Sequence, residues 1–404
     1  MSVTPNVRLF DRTTPPHMVT LVLIAGISAM NMSVFLPSLA HMADYFDTSY
    51  ATMQLAVSGY LAVTVIPQLL IGPISDKIGR RPLVLGSILI FVAASVGAML
   101  SQSIEAFLIF RMLQAAVVTN LVLSRSIVRD MVPQDQAASM IGYVTMGMAL
   151  IPMIGPMIGG ALDELFGWQS NFAFLAIAGV LVFGVCYFDL GETVQDGGLG
   201  FREQVKSYPE LFASPRFWGY ALCTAFASGA FFALLGGASF VAVEVFDLTP
   251  FWSGVGLGAP AVGYVIGNFL SGRFATALGI NKLAFLGTII TVIGLGVSLF
   301  LALIGLSTPL LFFGFCTFMG LGNGMTMPNG LAGMLSVRPR LAGTASGLGG
   351  AIMVGGGAAL SQFAGGLLTV ESGTVPLQWL MVIVSVLAMV SILFVIWREK
   401  QITA

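Results

Sequence analysis

Charge is what this chain has least of. Only 9% of its 404 residues are Asp, Glu, Lys or Arg, where a soluble domain carries about 25%. A water-facing surface cannot be covered with so few charges, and 57% of the residues are hydrophobic. The solvent of this chain is therefore expected to be mostly lipid. Histidine is almost missing: His17 and His41 are the two present, which argues against a zinc site or a histidine-based hydrolase. The three cysteines, Cys186, Cys223 and Cys316, sit in apolar stretches without metal or redox spacing and read as packing residues. A net charge of −1 lacks the basic footprint of a nucleic-acid binder. No embedded carboxylate pair offers acid–base chemistry, so the chain reads as neither an enzyme nor a holder of metal or cofactor.

Long apolar runs are what it has instead. A helix needs about 20 apolar residues to cross a bilayer. Twelve stretches qualify, near 18–40, 51–73, 82–101, 105–127, 138–160, 168–189, 217–241, 251–272, 282–304, 308–331, 341–365 and 375–397. Residues 1–17 are polar, so the first run is expected to remain as a helix and not to act as a cleaved signal. Residues 190–216 are polar and Gly-rich and read as a linker between two six-helix halves, 18–189 and 217–397, with short tails at 1–17 and 398–404. The expected class is an all-α membrane protein with twelve transmembrane helices.

Orientation follows from the cations. Arg8 and Arg12 precede the first span, Lys77, Arg80 and Arg81 follow the second, and Arg125 and Arg129 end the fourth. Arg202, Lys206 and Arg216 lie in the linker, Arg273 and Lys282 flank the connection of spans eight and nine, and Arg338 and Arg340 follow the tenth. Arg398 and Lys400 follow the twelfth. All fall on one side of the twelve-span arrangement. The loops of the other side carry Asp44, Asp47, Glu105, Asp163, Glu164, Glu244, Asp247 and Glu371. The positive-inside rule then places both termini in the cytoplasm. Arg111 alone does not fit, since it sits inside the fourth span.

The halves echo each other: "GPISDKIG" at 72–79 has a counterpart in "GRFATALG" at 272–279, with both glycines kept. The first copy continues as "GPISDKIGRRPLVL", which resembles the loop signature between the second and third spans of the major facilitator superfamily. "FRMLQAA" at 110–116 is similar to that family's fourth-span motif, with Arg111 and Gln114 present and Ala115 in place of a glycine. "GPMIGG" at 155–160 resembles the fifth-span motif of its exporters. With "SRSIVRD", "GWQSNFAFLA", "SPRFWGYAL" and "AGTASGL", these motifs resemble the drug:proton antiporter branch that includes bicyclomycin and phenicol exporters.

The resemblance implies export of small amphipathic compounds, neutral or weakly charged, by alternating access. It implies protons as coupling ion, a monomer, and a bacterial inner membrane. It assigns a gating role to Gly72, Asp76, Gly79, Arg80 and Asp130, with Asp76 near the start of the eleventh span, close to Gly343 and Thr344. Gly72 and Gly79 read as the residues that turn the chain between two helices. Pro152, Gly155, Pro156, Gly159 and Gly160 read as a kinked, flat-faced hinge that presses on the other half. Arg111 either steers a nearby acid or substrate group, or snorkels to the surface. The coupling acid the branch expects in the first span is replaced by Asn31, leaving peripheral carboxylates such as Asp44 or Asp130, another ion, or uncoupled facilitation as alternatives. Candidate substrate contacts are Asn31, Gln54, Gln114, Asn120, Tyr143 and Met146 from the first half. Phe231, Asn268, Asn323 and Gln362 are those from the second.

Overall fold

A computed structural model describes residues 8–131, 140, 151–194, 209–338 and 341–403. Among these the chain is helical, without strands. The first span is built from α1 (Met18–Ser33), a 3-10 turn (Leu36–Ser38) and α2 (Leu39–Tyr45). α3 (Tyr50–Met53) and α4 (Leu55–Ile78) make the second, and α5 (Arg80–Met99) the third. The fourth is interrupted: α6 (Ile104–Leu113), a 3-10 stretch (Gln114–Val118) and α7 (Thr119–Met131). α8 (Ile151–Phe166) and α9 (Gln169–Asp189) complete the first half. The second half holds α10 (Pro215–Phe240), α11 (Pro250–Leu278), α12 (Ile280–Leu303), α13 (Pro309–Val337), α14 (Ala342–Leu367) and α15 (Val375–Thr403).

Ten helical segments among the described residues are long and apolar enough to cross a membrane. The other two expected spans have separate reasons for standing apart. Part of 138–160 lies outside the described residues, leaving the 16 residues of α8. α14 is long enough, but its nine glycines dilute its hydropathy. Large apolar side chains such as Leu89, Ile90, Leu181, Ile293 and Phe300 stay exposed around the bundle, which is the surface a lipid-solvated protein presents.

The helices run past the predicted span ends. Gly72 is no turn residue, since α4 continues through it to Ile78. The polar residues Asp76 and Lys77 end the apolar run without ending the helix, because leaving hydrocarbon does not break backbone hydrogen bonds. The connection to α5 is the single residue Gly79, at φ 107° and ψ 153°, a region essentially closed to side-chain-bearing residues. Gly279 joins α11 to α12 in the same way, at φ 83° and ψ 151°. The repeat extends further. Asp47 and Asp247 both adopt positive φ, at 48° and 53°, each after a phenylalanine.

Within the second half α11 packs on α13, α13 on α12, and α10 on α14 and α15. In the first half α9 packs on α5 and α1. Across the halves, α8 packs on α11 and α4 on α14. The two ends of the bundle are called here the basic end, with Lys77 and Arg80, and the acidic end, with Asp44 and Glu244.

Candidate functional site

Arg111 organises the interior of the first half. It is fully buried on α6, so its guanidinium does not snorkel to the surface. Its Nε donates to the Ala56 carbonyl at 3.0 Å. One terminal nitrogen donates to Asn31 Oδ1 and Gln114 Oε1, both at 2.7 Å. The other donates to the Asn31 carbonyl at 3.1 Å. The charge lies between two rings, 4.3 Å from the Phe35 centroid and 4.0 Å from that of Tyr60. A desolvated cation–π contact contributes about 2 kcal/mol or more. Asn31 Nδ2 in turn donates to the Tyr60 hydroxyl at 3.0 Å, and Gln114 Nε2 to Ser95 Oγ at 2.7 Å.

Local structure explains this convergence. The helix tightens to 3-10 geometry directly after α6, and in that geometry side chains three apart eclipse. Gln114 therefore falls beneath Arg111. Ser28 Oγ on α1 donates to the Val117 carbonyl at 2.7 Å, tying the tightened segment to the helix that carries Asn31. Every acceptor in the cage is neutral. Where the family resemblance expects a carboxylate, Asn31 supplies an amide that accepts from the guanidinium and donates to a phenol.

The basic-end corner forms a second cluster. Arg80, 5% exposed, pairs with Asp76 at 2.5 Å and Asp130 at 3.1 Å, and also donates to Ser75 Oγ. Glu192 accepts from the backbone N–H of Arg80 at 2.8 Å and of Arg81 at 3.3 Å, capping the start of α5 where a helix carries partial positive charge. Arg81 donates to the Leu190 carbonyl at 2.8 Å and Thr193 to Asp130 at 3.2 Å. Ser75, Asp76 and Asp130 belong to the first half, and Leu190, Glu192 and Thr193 to the start of the linker. The surroundings of Gly72 and Gly343 lie outside the described side chains.

The seam between the halves carries the third group. Gln54 Nε2 donates to Ser361 Oγ at 2.8 Å, Ser58 Oγ to Gln362 Oε1 at 2.5 Å, and Gln362 Nε2 to the Ala51 carbonyl at 3.1 Å. Tyr50 donates to the Gly236 carbonyl at 3.3 Å. These contacts sit toward the acidic end. There α8 and α11 approach so closely that a Cβ on Gly160 would strike the Pro250 backbone, and one on Gly254 the Pro156 carbonyl. The flat face expected over 155–160 is thereby corrected. Gly155 lies against Ser33 and Met30, and Gly159 against the Val34 carbonyl, so only Gly160 of the three glycines meets the other half. Residues 155 and 159 are one turn apart and share a face, whereas 160 is rotated about 100° from 159. Pro156 lies inside α8; the side chain of Pro152 lies outside the described residues.

The remaining candidates separate. Phe231 joins Ala29, Met32, Pro156, Leu235 and Leu257 around a small apolar cavity between the halves. Asn120 accepts from Ser87 at 3.0 Å within the first half, and Asn268 donates to the Tyr264 carbonyl at 2.8 Å on its own helix. Asn323 is buried with its Oδ1 unpartnered. Tyr143 and Met146 lie outside the described residues. Sequence reasoning missed Phe35, Tyr60, Ser95, Ser361 and Glu192. Among the cage residues that were missed, Tyr60 was the detectable one, a phenol inside an apolar span.

Comparison with known proteins agrees with this arrangement. Residues 21–361 match the Major Facilitator Superfamily. A chloramphenicol resistance protein of Pseudomonas aeruginosa is 33% identical over 208 residues, 51% of this chain and about half (49%) of that protein's length. A bicyclomycin resistance protein homolog of Haemophilus influenzae is 24% identical over 87% of this chain and 89% of its own. A bacterial homolog of the human lysosomal transporter Spinster, solved inward-facing and unoccupied, superposes with a TM-score of 0.72 at 16% identity, covering 95% of this chain and 96% of its own. Helical architecture, the duplicated glycine turn and the match over most of the chain lead to one assignment: the chain belongs to the Major Facilitator Superfamily, as a transporter and not an enzyme, and is similar to its drug-resistance members.

Proposed function

We propose that the protein is a secondary active exporter of small amphipathic compounds, antibiotics included, that works by alternating access in exchange for protons. The moving bodies are two six-helix halves, 18–189 and 217–397, joined by the linker 190–216, with tails at 1–17 and 398–404. Twelve spans with both termini in the cytoplasm of a bacterium, and a monomer in its inner membrane, complete the proposal. The basic end then faces the cytoplasm.

The observation that carries this reading is the asymmetry of the seam. Toward the acidic end the halves meet through neutral hydrogen bonds and glycine-lined backbone contact. Toward the basic end the described ion pairs of Arg80 close within the first half. Neutral contacts contribute about 1 kcal/mol each, so such a seam opens without separating charges. The gating role of Gly72, Asp76, Gly79, Arg80 and Asp130 becomes that of a stiffened corner which keeps the first half moving as one body.

A second reading, facilitated diffusion or uptake of a small metabolite without proton antiport, is favoured by the neutral cage, because Asn31 cannot carry a proton as a carboxylate does. Proteoliposomes under an imposed pH gradient separate the two. Internal pH is recorded while phenicols and dyes are added. Substrate-dependent proton movement is the expected result; transport without it sinks antiport and leaves facilitation. Arg111→Ala is expected to abolish transport in the same assay.

A further inference from the structure

By sequence, Arg125 belongs with the cations of the basic end. Its placement is different. It lies within the candidate span Ile104–Val128, on α7, whose neighbouring Asn120, Leu123, Ser124, Ser126, Ile127 and Val128 are buried. Arg125 itself is exposed. A lipid-facing stripe would be apolar; here the side chain left open on an otherwise enclosed helix is a cation. Its electrostatic neighbour is Tyr264, midway along α11 in the opposite half. The guanidinium therefore faces the opposite half across the cleft.

Nothing described neutralises it. Among the described residues Arg125 has no ion pair and no hydrogen bond. Every acid on a described helix lies within about one turn of that helix's end. The closest along the chain, Asp130, is held by Arg80. Arg111 is sealed in its cage, so among the described cations of the fourth span Arg125 is the one a solute in the cleft can reach. The apolar cavity is aligned with it. Leu257, which lines that cavity, and Tyr264 are seven residues apart on α11, which puts them on one face about 10 Å apart along the axis.

We propose that Arg125 receives an anionic group of the substrate, so that the preferred cargo is an amphipathic anion about 10 Å long. Its apolar body fills the cavity beside Phe231 and Leu257, and its carboxylate or comparable acid meets Arg125, with the Tyr264 hydroxyl as a further donor. Guanidinium suits this task because its fork of N–H groups matches a carboxylate. The proposal rests on the export reading and names the charge class of its substrates.

The test compares two probes of one body, chloramphenicol and its anionic hemisuccinate ester, in proteoliposome uptake. Wild type is expected to carry the hemisuccinate faster. Arg125→Ala is expected to slow the hemisuccinate about tenfold or more while changing chloramphenicol less than about twofold, the loss of one charge-assisted contact. Arg125→Lys is expected to keep most of the preference. Thermal melting in detergent checks that each variant is folded, and Arg125→Gln replaces Arg125→Ala if the latter is not. A wild type that carries chloramphenicol but not the ester overturns the proposal alone, as does an Arg125 variant that slows both probes alike or neither. A wild type that carries neither probe overturns the export reading with it.

Discussion

At the scale of single residues the decisive fact is a buried arginine held by neutral groups. Burying a cation is costly unless its donors are met. Here four N–H bonds and two aromatic faces meet them. Asn31 is the most exposed to substitution in that argument, because it accepts from Arg111 and donates to Tyr60. Asn31→Leu is expected to destabilise the protein by about 1.5–3 kcal/mol, the range for a lost hydrogen bond to a charged group. The check is the melting temperature in detergent, and an unchanged value would mean that Gln114 and the backbone carbonyls suffice. The importance of Arg111 was legible in the sequence, as the one cation that fits no basic loop. Its partners were legible only in part. Asn31 and Gln114 stood out as polar residues in apolar spans, whereas Phe35 is indistinguishable by sequence from the other phenylalanines of the chain.

At the scale of elements, the repeated single-glycine turn sets how α4 meets α5 and α11 meets α12. The two copies differ in surroundings. A Cβ on Gly79 would strike the Glu192 carboxylate that caps α5, whereas one on Gly279 meets nothing within 4 Å. Both substitutions force a side chain into positive φ, at about 1–3 kcal/mol. Gly79→Ala is thus expected to destabilise more than Gly279→Ala, and equal losses in denaturant titrations would show that Glu192 simply moves aside. Ten of the expected spans were readable from hydropathy, because a bilayer imposes its thickness on every helix. Helix ends were not, because polar residues such as Asp76 and Lys77 prolong a helix beyond the hydrocarbon. The break inside the fourth span was also hidden, since "QAAVV" carries neither glycine nor proline, and its tie to Ser28 is visible only in the fold.

At the scale of the whole molecule the halves are joined by weak, neutral contacts at one end. Gln54→Leu combined with Gln362→Leu removes three hydrogen bonds across that seam. At about 1 kcal/mol each, their loss is expected to shift the equilibrium toward an opened acidic end by more than about tenfold. Spin labels at Asp44→Cys and Glu244→Cys, both on exposed positions, would report a longer distance in the double variant; an unchanged distribution would mean that the glycine contact of α8 with α11 holds the seam alone. The residues of the 72–82 motif and the partnership of Arg80 with Asp130 were visible in the sequence; the pairing of Asp76 with Arg80 in its own half was not, because spacing along a chain does not say which half a carboxylate faces.

The neutral cage has one more implication. Because no described carboxylate accompanies Arg111, the alternating access proposed above would carry a bare positive charge through part of the membrane's electric field with each rotation of the first half. A full traverse of one elementary charge amounts to about 2.3 kcal/mol per 100 mV. In that proposed cycle even a fraction of that energy would make the balance between the two open states follow the membrane voltage, so that an energised cell would bias which way the empty transporter faces before any substrate arrives.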